Sequence, residues 1–261
     1  MEVFTLKPFS LIFGLCIGSF LNAVIYRLPR EISLSASRSH CPKCNKLIYW
    51  YENIPVFSWI FLRGKCSGCK SKISIEYPIV ELGVGLFSLS LTPAYFERSL
   101  VIEYFFEFSV FSIFVCHFLI DLRHKILPNS LNLLLALILF SKIIYQESYT
   151  HWLIGGSIGI FFPLAVTYGF YLLKGEVGLG GGDIKLYGAL GLFFGPLGIM
   201  QNIFLSCFLG AIIGGGLIVF KFIDRKTPVP FGPFIIIVAS SQIFFPDNFR
   251  WFLENTLNMN V

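Results

Sequence analysis

Long apolar runs separated by short polar stretches are the dominant pattern of this sequence. Runs of about 20 residues, the length of a membrane-spanning helix, recur along most of the chain. The pattern predicts eight spans, at residues 6–26, 78–97, 101–121, 127–145, 150–173, 184–200, 203–222 and 229–245. The first run lacks a strongly basic start and a small-x-small cleavage site, so we expect it to be retained. The predicted fold class is all-α, a polytopic membrane helical bundle of about eight transmembrane helices.

Composition and charge support this interpretation. Hydrophobic residues make up 55% of the chain and charged residues 13%, whereas soluble domains contain about 25% charged residues. Sixteen of the twenty Lys and Arg residues fall in the first, third, fifth and seventh connections between predicted spans. The positive-inside rule therefore predicts that these connections are cytoplasmic and that both termini lie outside. Because the basic residues are sorted by membrane side, the net charge of +5 indicates a lipid bilayer and not nucleic acid as the partner.

The longest connection divides the chain into three predicted parts. They are a first transmembrane helix at 1–26, a cytoplasmic four-cysteine loop at 27–77 and a membrane core at 78–261. The loop is basic and contains many aromatic residues, but it is too short to bury a large apolar core. We therefore expect a metal ion or the membrane surface to order it.

Two C-x-x-C pairs in this loop predict a zinc-binding-like structure. Cys41 and Cys44 form the first pair, and Cys66 and Cys69 follow after 21 intervening residues. Each pair offers two thiolates, and two pairs complete a tetrahedral zinc site. Four protein thiolates leave no position for water, so the predicted role is structural. Two disulfides are the alternative, although the cytoplasm is reducing; a redox C-x-x-C lacks a thioredoxin-like pattern around it.

Aspartate is rare in this chain, and two of its occurrences stand at similar predicted depth. The four aspartates are Asp121, Asp183, Asp224 and Asp247. Asp121 ends the third predicted span and Asp183 opens the sixth, so the topology places both at the cytoplasmic edge of the bilayer. Two carboxyls brought together there would share one proton. The ionised member could take a proton from water while the neutral member donates one to a carbonyl oxygen.

Glycines crowd around the second of these aspartates. We interpret Gly180, Gly181 and Gly182, together with Lys185, as an active-site loop, because glycine permits positive φ and close backbone approach. The simpler alternatives are that Asp183 is a helix N-cap in a flexible loop and that Asp121 only neutralises interfacial basic neighbours. The coincidence of depth favours catalysis. No Gly-Lys-Ser/Thr follows, so the loop is not a nucleotide-binding loop.

Motifs along nearly the whole chain match those of one family. They are Gly-Ser-Phe-Leu-Asn at 18–22, Cys-Pro-Lys-Cys at 41–44, Glu-Asn-Ile-Pro at 52–55, Leu-Arg-Gly-Lys-Cys at 62–66, Tyr-Pro at 77–78, Ile-Leu-Pro at 126–128, Gly-Gly-Gly-Asp-Ile-Lys at 180–185 and Pro-Phe-Gly-Pro-Phe at 230–234. The chain resembles the bacterial type IV prepilin peptidases, which are leader peptidases and N-methyltransferases of the GxGD class of membrane aspartic proteases.

The resemblance implies a function for most of these residues. Asp121 and Asp183 would be the catalytic pair, within a membrane aspartic peptidase core at 78–261. The substrates would be prepilins and type II secretion pseudopilins, whose short basic leaders are cut after a glycine at the cytoplasmic face of the bacterial inner membrane. The new N-terminal residue would then be methylated by S-adenosylmethionine, with the cysteine loop implicated. Asn22, Arg27 and Glu81 are candidate supporting residues.

One departure from the family pattern and two competing functions complete the expectations. The family commonly has Leu-Pro-Asp where this chain has Leu127-Pro128-Asn129, which puts a role for a third carboxylate there in doubt.

A proton-coupled transporter would have carboxylates near mid-bilayer and inverted repeats, neither of which the sequence indicates. A scaffold with a partner-binding zinc loop would leave the glycine-aspartate segment unexplained.

Overall fold

The computed structural model of the protein describes residues 6–35, 39–143, 149–176, 178–224 and 229–257. Three of the basic residues in the charge pattern, Arg38, Arg225 and Lys226, lie outside the described residues. Residues 144 and 145 of the fourth predicted span also lie outside them. The same is true of residues 1–5 in the first predicted part and residues 258–261 in the third.

The described residues contain helices, turns and two isolated β-bridges, and no strand among them extends beyond such a bridge. The described ranges include nine α-helices: α1 (Leu6–Arg27), α2 (Phe57–Phe61), α3 (Glu76–Ser90), α4 (Arg98–His124), α5 (Asn129–Ile143), α6 (Tyr149–Lys174), α7 (Gly181–Val219), α8 (Gly232–Phe244) and α9 (Pro246–Leu257). Short 3₁₀ turns follow α1 at Leu28–Arg30 and precede α2 at Trp50–Asn53. The predicted all-α class is confirmed.

Four described helical segments are long and apolar enough to cross a membrane: Leu6–Arg30, Arg98–His124, Tyr149–Lys174 and Gly181–Val219. Helices α5 and α8 are apolar but shorter, with 15 and 13 residues. This composition identifies a membrane protein, because helices satisfy their own backbone hydrogen bonds in lipid. Helix α9, with a polar and an apolar face, was not predicted by the search for apolar runs.

The sixth and seventh predicted spans correspond to two helical segments of α7 that meet at a kink. We expected a break near residues 201–202, but the structure keeps those residues helical and places the break at Gly195, where φ is 70°. Pro196 follows and has no N–H for the helical ladder, which accounts for the kink. The predicted boundary was therefore wrong by about two helical turns.

The chain divides into two compact units, residues 1–116 and 117–261, with the division inside α4. In the first unit, α1 and α3 pack closely through glycine. A Cβ at Gly14 would lie 2.5 Å from the Ser88 Cβ, and one at Gly18 would lie 2.7 Å from the Glu81 Cα. The Ser88 hydroxyl donates to the Ser10 carbonyl at 2.6 Å. Small residues thus bring the two backbones together, as is common in membrane helix pairs.

In the second unit, α7 is the central helix and packs against α5, α6 and α8. Its contact with α6 is a direct approach of two backbones, since a Cβ on Gly155, Gly159 or Gly191 would collide with a carbonyl oxygen of the opposite helix. Fully buried side chains of α5, α7 and α8 fill the space between these helices, including Leu135, Leu190 and Ile235. Because dense packing resists displacement, the start of α7 is held in a fixed position within this unit.

Candidate active site and metal centre

Asp183 lies in the first turn of α7. The helix begins at Gly181, and Gly180 is its N-cap with extended backbone (φ −67°, ψ 144°). The Asp183 N–H donates to the Gly180 carbonyl at 3.1 Å, so Asp183 is already helical and its assignment as an N-cap is wrong. A carboxylate in the first turn is still favoured by the helix dipole. The fold of this loop therefore supports an acidic residue at position 183.

The three glycines before Asp183 have different surroundings. A Cβ on Gly180 would lie 2.9 Å from the Asp183 Oδ2, and one on Gly182 would lie 2.9 Å from the Leu127 Cβ. A Cβ on Gly181 would meet nothing within 4 Å. None of the three has a positive φ, so the expected need for left-handed backbone is wrong. Close approach is the reason for glycine at 180 and 182, and no contact requires it at 181.

Asp121 lies near the end of α4 and is 4% exposed. Its Oδ2 accepts a hydrogen bond from the Gly232 N–H at 2.9 Å, at the beginning of α8. A Cβ on Gly232 would lie 2.8 Å from the same oxygen, so a larger residue would displace the carboxyl. The sequence indicated Gly232 only as part of a family motif, because no local pattern connects two positions 111 residues apart.

Both aspartates line one cavity of about 540 Å³ in the second unit. They are also close enough to interact electrostatically. An apolar stretch of α6 that includes Phe162, Val166 and Phe170 also lines it, and Phe231 contributes from the segment before α8. The structure thus brings together the two carboxyls that the sequence singled out, in a space large enough for a peptide segment. Their catalytic role remains a prediction at this stage.

We expected Lys185 to belong to the active-site loop, but its side chain bonds a residue of α5. Its Nζ donates to the Asn129 Oδ1 at 2.7 Å, and it is not among the residues that line the aspartate cavity. The Asn132 side-chain amide donates to the Gly182 carbonyl at 3.3 Å. The start of α5 therefore holds the glycine loop through two polar contacts. Asn129, where the family commonly has Asp, accepts one of these hydrogen bonds without a charge.

The four cysteines of the first unit converge. Their sulfurs all lie within 4.8 Å of one another, with Cys41 and Cys69 at 3.8 Å and Cys44 and Cys66 at 4.0 Å. A tetrahedral zinc ion with Zn–S bonds of about 2.3 Å requires sulfurs about 3.8 Å apart. All four thiols are free, so the disulfide alternative does not describe this structure. The spacing of the sulfurs fits a tetrahedral metal ion.

The two cysteine pairs occupy equivalent turns. Asn45 donates to the Cys41 carbonyl at 2.9 Å and Lys70 donates to the Cys66 carbonyl at 3.0 Å. Both donors have left-handed backbone, with φ of 56° and 58°. Backbone N–H groups of Lys43 and Cys44 lower the pKa of Cys41 to about 6, whereas burial and the neighbouring sulfurs raise the pKa of Cys44 to about 11. Cys41 therefore forms the thiolate that a metal ion binds more readily than Cys44 does.

A lysine links the two turns. The Lys46 ammonium lies 3.1 Å from the Glu52 Oε1 and donates to the Ser67 hydroxyl at 2.5 Å. Hydrogen bonds from the Ser67 hydroxyl and the Tyr49 N–H, and then the lysine, lower the pKa of Glu52. The carboxylate therefore remains charged and paired at neutral pH. This network joins the turns independently of any bound ion.

The three candidate supporting residues lie in the first unit, and the side chains of Asn22 and Glu81 interact with each other. Glu81 is buried and accepts the Val56 N–H at 2.7 Å. Val56 has a φ of 63°, a strained value for a β-branched residue. Arg27 is buried and donates to the Leu34 carbonyl at 3.1 Å, and Asn22 donates to the Tyr77 carbonyl at 3.1 Å. Arg27 and Asn22 thus hold backbone segments in place.

A second cavity, of about 280 Å³, lies beside the cysteine cluster. Glu81, Glu52 and the Trp59 indole line it together with Cys41 and Cys66. The Trp59 Nε1 donates to the Ile73 carbonyl at 3.3 Å, which fixes the ring. The cavity is close to the lower end of the range for small-molecule sites, about 300–1,000 Å³. No pattern in the sequence indicated this cavity.

Comparison with known proteins identifies the family. Residues 12–95 match the bacterial peptidase A24 N-terminal domain, and residues 108–215 match the type IV leader peptidase family. The chain is 34% identical to a prepilin leader peptidase/N-methyltransferase of Aeromonas salmonicida (strain A449) over 283 aligned positions, which cover 95% of each chain. It is 35% identical to the enzyme of the same name from Aeromonas hydrophila, with 95% of each covered.

A relative from another genus has a similar identity to this chain. A prepilin leader peptidase/N-methyltransferase of Xanthomonas campestris pv. campestris is 35% identical, with 90% of this chain and 89% of that protein covered. No solved structure matches the chain. Identity above 30% over almost the whole length, together with both domain matches, leads to one conclusion: the chain belongs to the type IV leader peptidase family.

Proposed function

We propose that this protein is a membrane aspartic endopeptidase that removes the leader from type IV prepilins and type II secretion pseudopilins and then N-methylates the new N-terminal residue. Family membership and the printed names of the relatives support both activities. The observation that carries the peptidase activity is the presence of Asp121 and Asp183 on the wall of one cavity. Peptide hydrolysis by two carboxyls requires this juxtaposition.

The proposed reaction uses one proton shared between the two carboxyls. Two such groups at short range cannot both ionise readily, so one holds a proton while the other is charged. The charged carboxylate takes a proton from water, and the water oxygen attacks the carbonyl carbon of the scissile peptide bond. The neutral carboxyl gives its proton to the carbonyl oxygen. When the tetrahedral intermediate breaks down, the C–N bond breaks and the carboxyl that took the proton from water gives it to the departing amine. The other carboxylate recovers its proton from a hydroxyl of the intermediate as the new carbonyl forms.

The surrounding backbone supports this chemistry. The Gly232 N–H fixes one oxygen of Asp121, and the absence of a side chain at Gly180 and Gly232 leaves both carboxyls in place. Because a preorganised carboxyl loses little free energy to rearrangement, such contacts lower the barrier.

The position of substrate and enzyme in the membrane follows from the charge pattern. We propose the eight-span topology with cytoplasmic odd-numbered connections, in the bacterial inner membrane, with the aspartates at the cytoplasmic face. The three predicted parts, 1–26, 27–77 and 78–261, would be the first span, the cysteine loop and the peptidase core. A pilin precursor has an apolar helix and a basic cytoplasmic leader, so its cleavage site would lie at the same depth.

For methylation, we propose that S-adenosylmethionine binds in the 280 Å³ cavity beside the cysteines. When bound, this donor supplies a methyl group from a positively charged sulfur. An indole face and a carboxylate both attract a cation, so Trp59 and Glu81 are suited to hold it. Zinc in the four-thiolate site would fix the two turns that form one wall, with no position left for water.

The alternative functions have less support. None of the three relatives named above is a transporter, and both aspartates lie at helix ends. A scaffold protein would not need a cavity with two carboxyls.

The test is incubation of the purified full-length protein with a prepilin and S-adenosylmethionine, followed by mass spectrometry of the product. We expect loss of the leader and gain of one methyl group. An intact prepilin after incubation with folded enzyme would contradict the proposal.

A further inference from the structure

One hydroxyl group on the wall of the aspartate cavity has no hydrogen-bond partner. The Thr167 Oγ1 is shielded from solvent and makes no hydrogen bond within the described part of the chain. Thr167 lines the same cavity as Asp121 and Asp183. A buried hydroxyl without a partner destabilises a folded protein, so its presence in a reaction cavity requires an explanation.

Several other hydroxyl groups in the helices of this protein bond to their own helix. Ser112 and Ser206 each donate to the backbone carbonyl four residues earlier, at 2.8 and 2.7 Å. Ser157, on the same helix as Thr167, donates to the Leu153 carbonyl at 2.8 Å. This back-bonding is the usual solution for a hydroxyl in a helix. Thr167 does not adopt it, so its hydroxyl can bond a group inside the cavity once χ1 rotates to the other rotamer that a helical threonine adopts.

The position of Thr167 on α6 accounts for its access to the cavity. Gly155, Gly159, Pro163 and Thr167 recur at four-residue intervals, so each lies on the same side of the helix as its neighbour in this series. At the two glycines the backbones of α6 and α7 are in contact. At Pro163 and Thr167 the same face lines the cavity. Thr167 thus faces the space next to the start of α7, where Asp183 lies.

We propose that the Thr167 hydroxyl binds the main chain of the substrate beside the scissile peptide bond. This inference rests on the proposed peptidase function. A helical substrate must unwind to be cut, and the freed N–H and C=O groups then need partners in an apolar cavity. The side chains of Phe162, Phe170 and Phe231 offer none. A threonine hydroxyl can accept from the N–H or donate to the carbonyl.

Neighbouring polar groups are less suited to this role. The Tyr187 hydroxyl also belongs to the cavity wall, but it already shares a hydrogen bond with the Ser206 hydroxyl at 2.6 Å. The two aspartates are needed for water and for the scissile carbonyl. Thr167 is neutral, so it can hold the main chain without disturbing the proton shared by the carboxyls.

The test compares Thr167→Val, which keeps the shape and removes the hydroxyl, with Thr167→Ser, which keeps the hydroxyl. Leader removal is followed by mass spectrometry over a range of prepilin concentrations. We expect Thr167→Val to lower kcat/KM by about 3- to 10-fold, the effect of one neutral hydrogen bond, and Thr167→Ser to stay within about twofold of wild type. Thr167→Val is also expected to melt at the same or a higher temperature, because a buried unpaired hydroxyl is removed. Ser157→Ala is the control on the same helix.

Each outcome decides one point. If the wild-type protein leaves the prepilin intact, the peptidase function itself is wrong. If the wild type cuts and Thr167→Val cuts equally well, only the inference on Thr167 is overturned. Equal losses in the Val and Ser variants would also overturn it, since they would indicate that side-chain shape and not the hydroxyl is required.

Discussion

The cysteine cluster of the first unit and the aspartate cavity of the second both assemble residues that are distant in sequence, but they differ in how their polar groups are satisfied. Around the cysteines, the four sulfurs lie together, and Lys46 is bonded to Glu52 and Ser67. Around the aspartates, one oxygen of Asp121 is held by backbone, while the Thr167 hydroxyl has no partner in the described structure. A site with its ligands complete is suited to holding structure, and a cavity with an unused hydrogen-bonding group is suited to binding and reaction.

The difference also teaches what can change without loss of the fold. Removal of a sulfur from the cluster affects several neighbours at once, because the two turns depend on each other. Removal of a carboxyl from the cavity deletes a reacting group but leaves the helices that form the walls. The four predictions below, together with the test of Thr167, separate these two kinds of site.

The largest expected effect is on leader removal by the aspartate variants. Asp121→Asn or Asp183→Asn should lower the rate by about 10³-fold or more, because an amide can neither accept a proton from water nor complete the shared-proton pair. Both variants should accumulate in the membrane at wild-type levels. Asp224→Asn is the matched control, since this aspartate is exposed and lies outside the cavity. Normal processing of prepilin by either variant would show that Asp121 and Asp183 are not a catalytic pair.

The next effect is on metal content. Cys41→Ser combined with Cys44→Ser should abolish zinc retention in the purified protein, measured by elemental analysis, because two of four thiolates are lost. Methyl transfer should fall by about 10-fold or more, and by a larger factor than cleavage. Cys16→Ser, outside the cluster, serves as control. Unchanged zinc content in the double variant would show that the four sulfurs are not a metal site.

A graded effect is expected from alanine at the glycines. Gly232→Ala and Gly180→Ala place a methyl group within 2.9 Å of a carboxyl oxygen, so we expect kcat to fall by about 10- to 100-fold. Gly181→Ala has no neighbour within 4 Å and should retain full activity. Prepilin cleavage rates of the purified variants provide the measurement. Equal losses at Gly180 and Gly181 would mean that loop flexibility, and not carboxyl placement, explains the glycines.

The smallest effect concerns the contact between Lys185 and Asn129. Asn129→Asp restores the residue common in the family and converts a hydrogen bond into an exposed ion pair, worth about 0.2–1 kcal/mol. Activity should change less than about threefold, and any gain in thermal stability should diminish at high salt. Lys185→Met should cause a similarly small loss. A loss comparable to that of the aspartate variants would place Lys185 in the reaction itself.

Some of this architecture could be predicted from local sequence and some could not. Apolar runs identified most of the long helices, and the spacing of two C-x-x-C pairs identified four cysteines that do converge. The break between the sixth and seventh predicted spans was misplaced, because the apolar pattern continues through the true break at Gly195. Only the combination of Gly195 with Pro196 marks that position. Helix α9 was missed because it is not apolar overall.

The residues of the aspartate site could be predicted from the sequence, but the contacts that hold them could not. Rarity and predicted depth singled out Asp121 and Asp183, and they line one cavity. The amide that holds Asp121 comes from Gly232, and the partner of Lys185 comes from Asn129, 56 residues away. Such contacts depend on how the helices pack against one another. The pattern of residues within a single segment does not contain that information. The unpaired hydroxyl of Thr167 is likewise visible only once its surroundings are known.

The most direct test of the central claim is a mass spectrum of a prepilin after incubation with the wild-type protein, Asp183→Asn and the Cys41→Ser/Cys44→Ser variant, each with S-adenosylmethionine. The account predicts a shortened, methylated product from the wild type, intact prepilin from the aspartate variant, and a shortened product with little methylation from the cysteine variant. A shortened product from Asp183→Asn at the wild-type rate would contradict it.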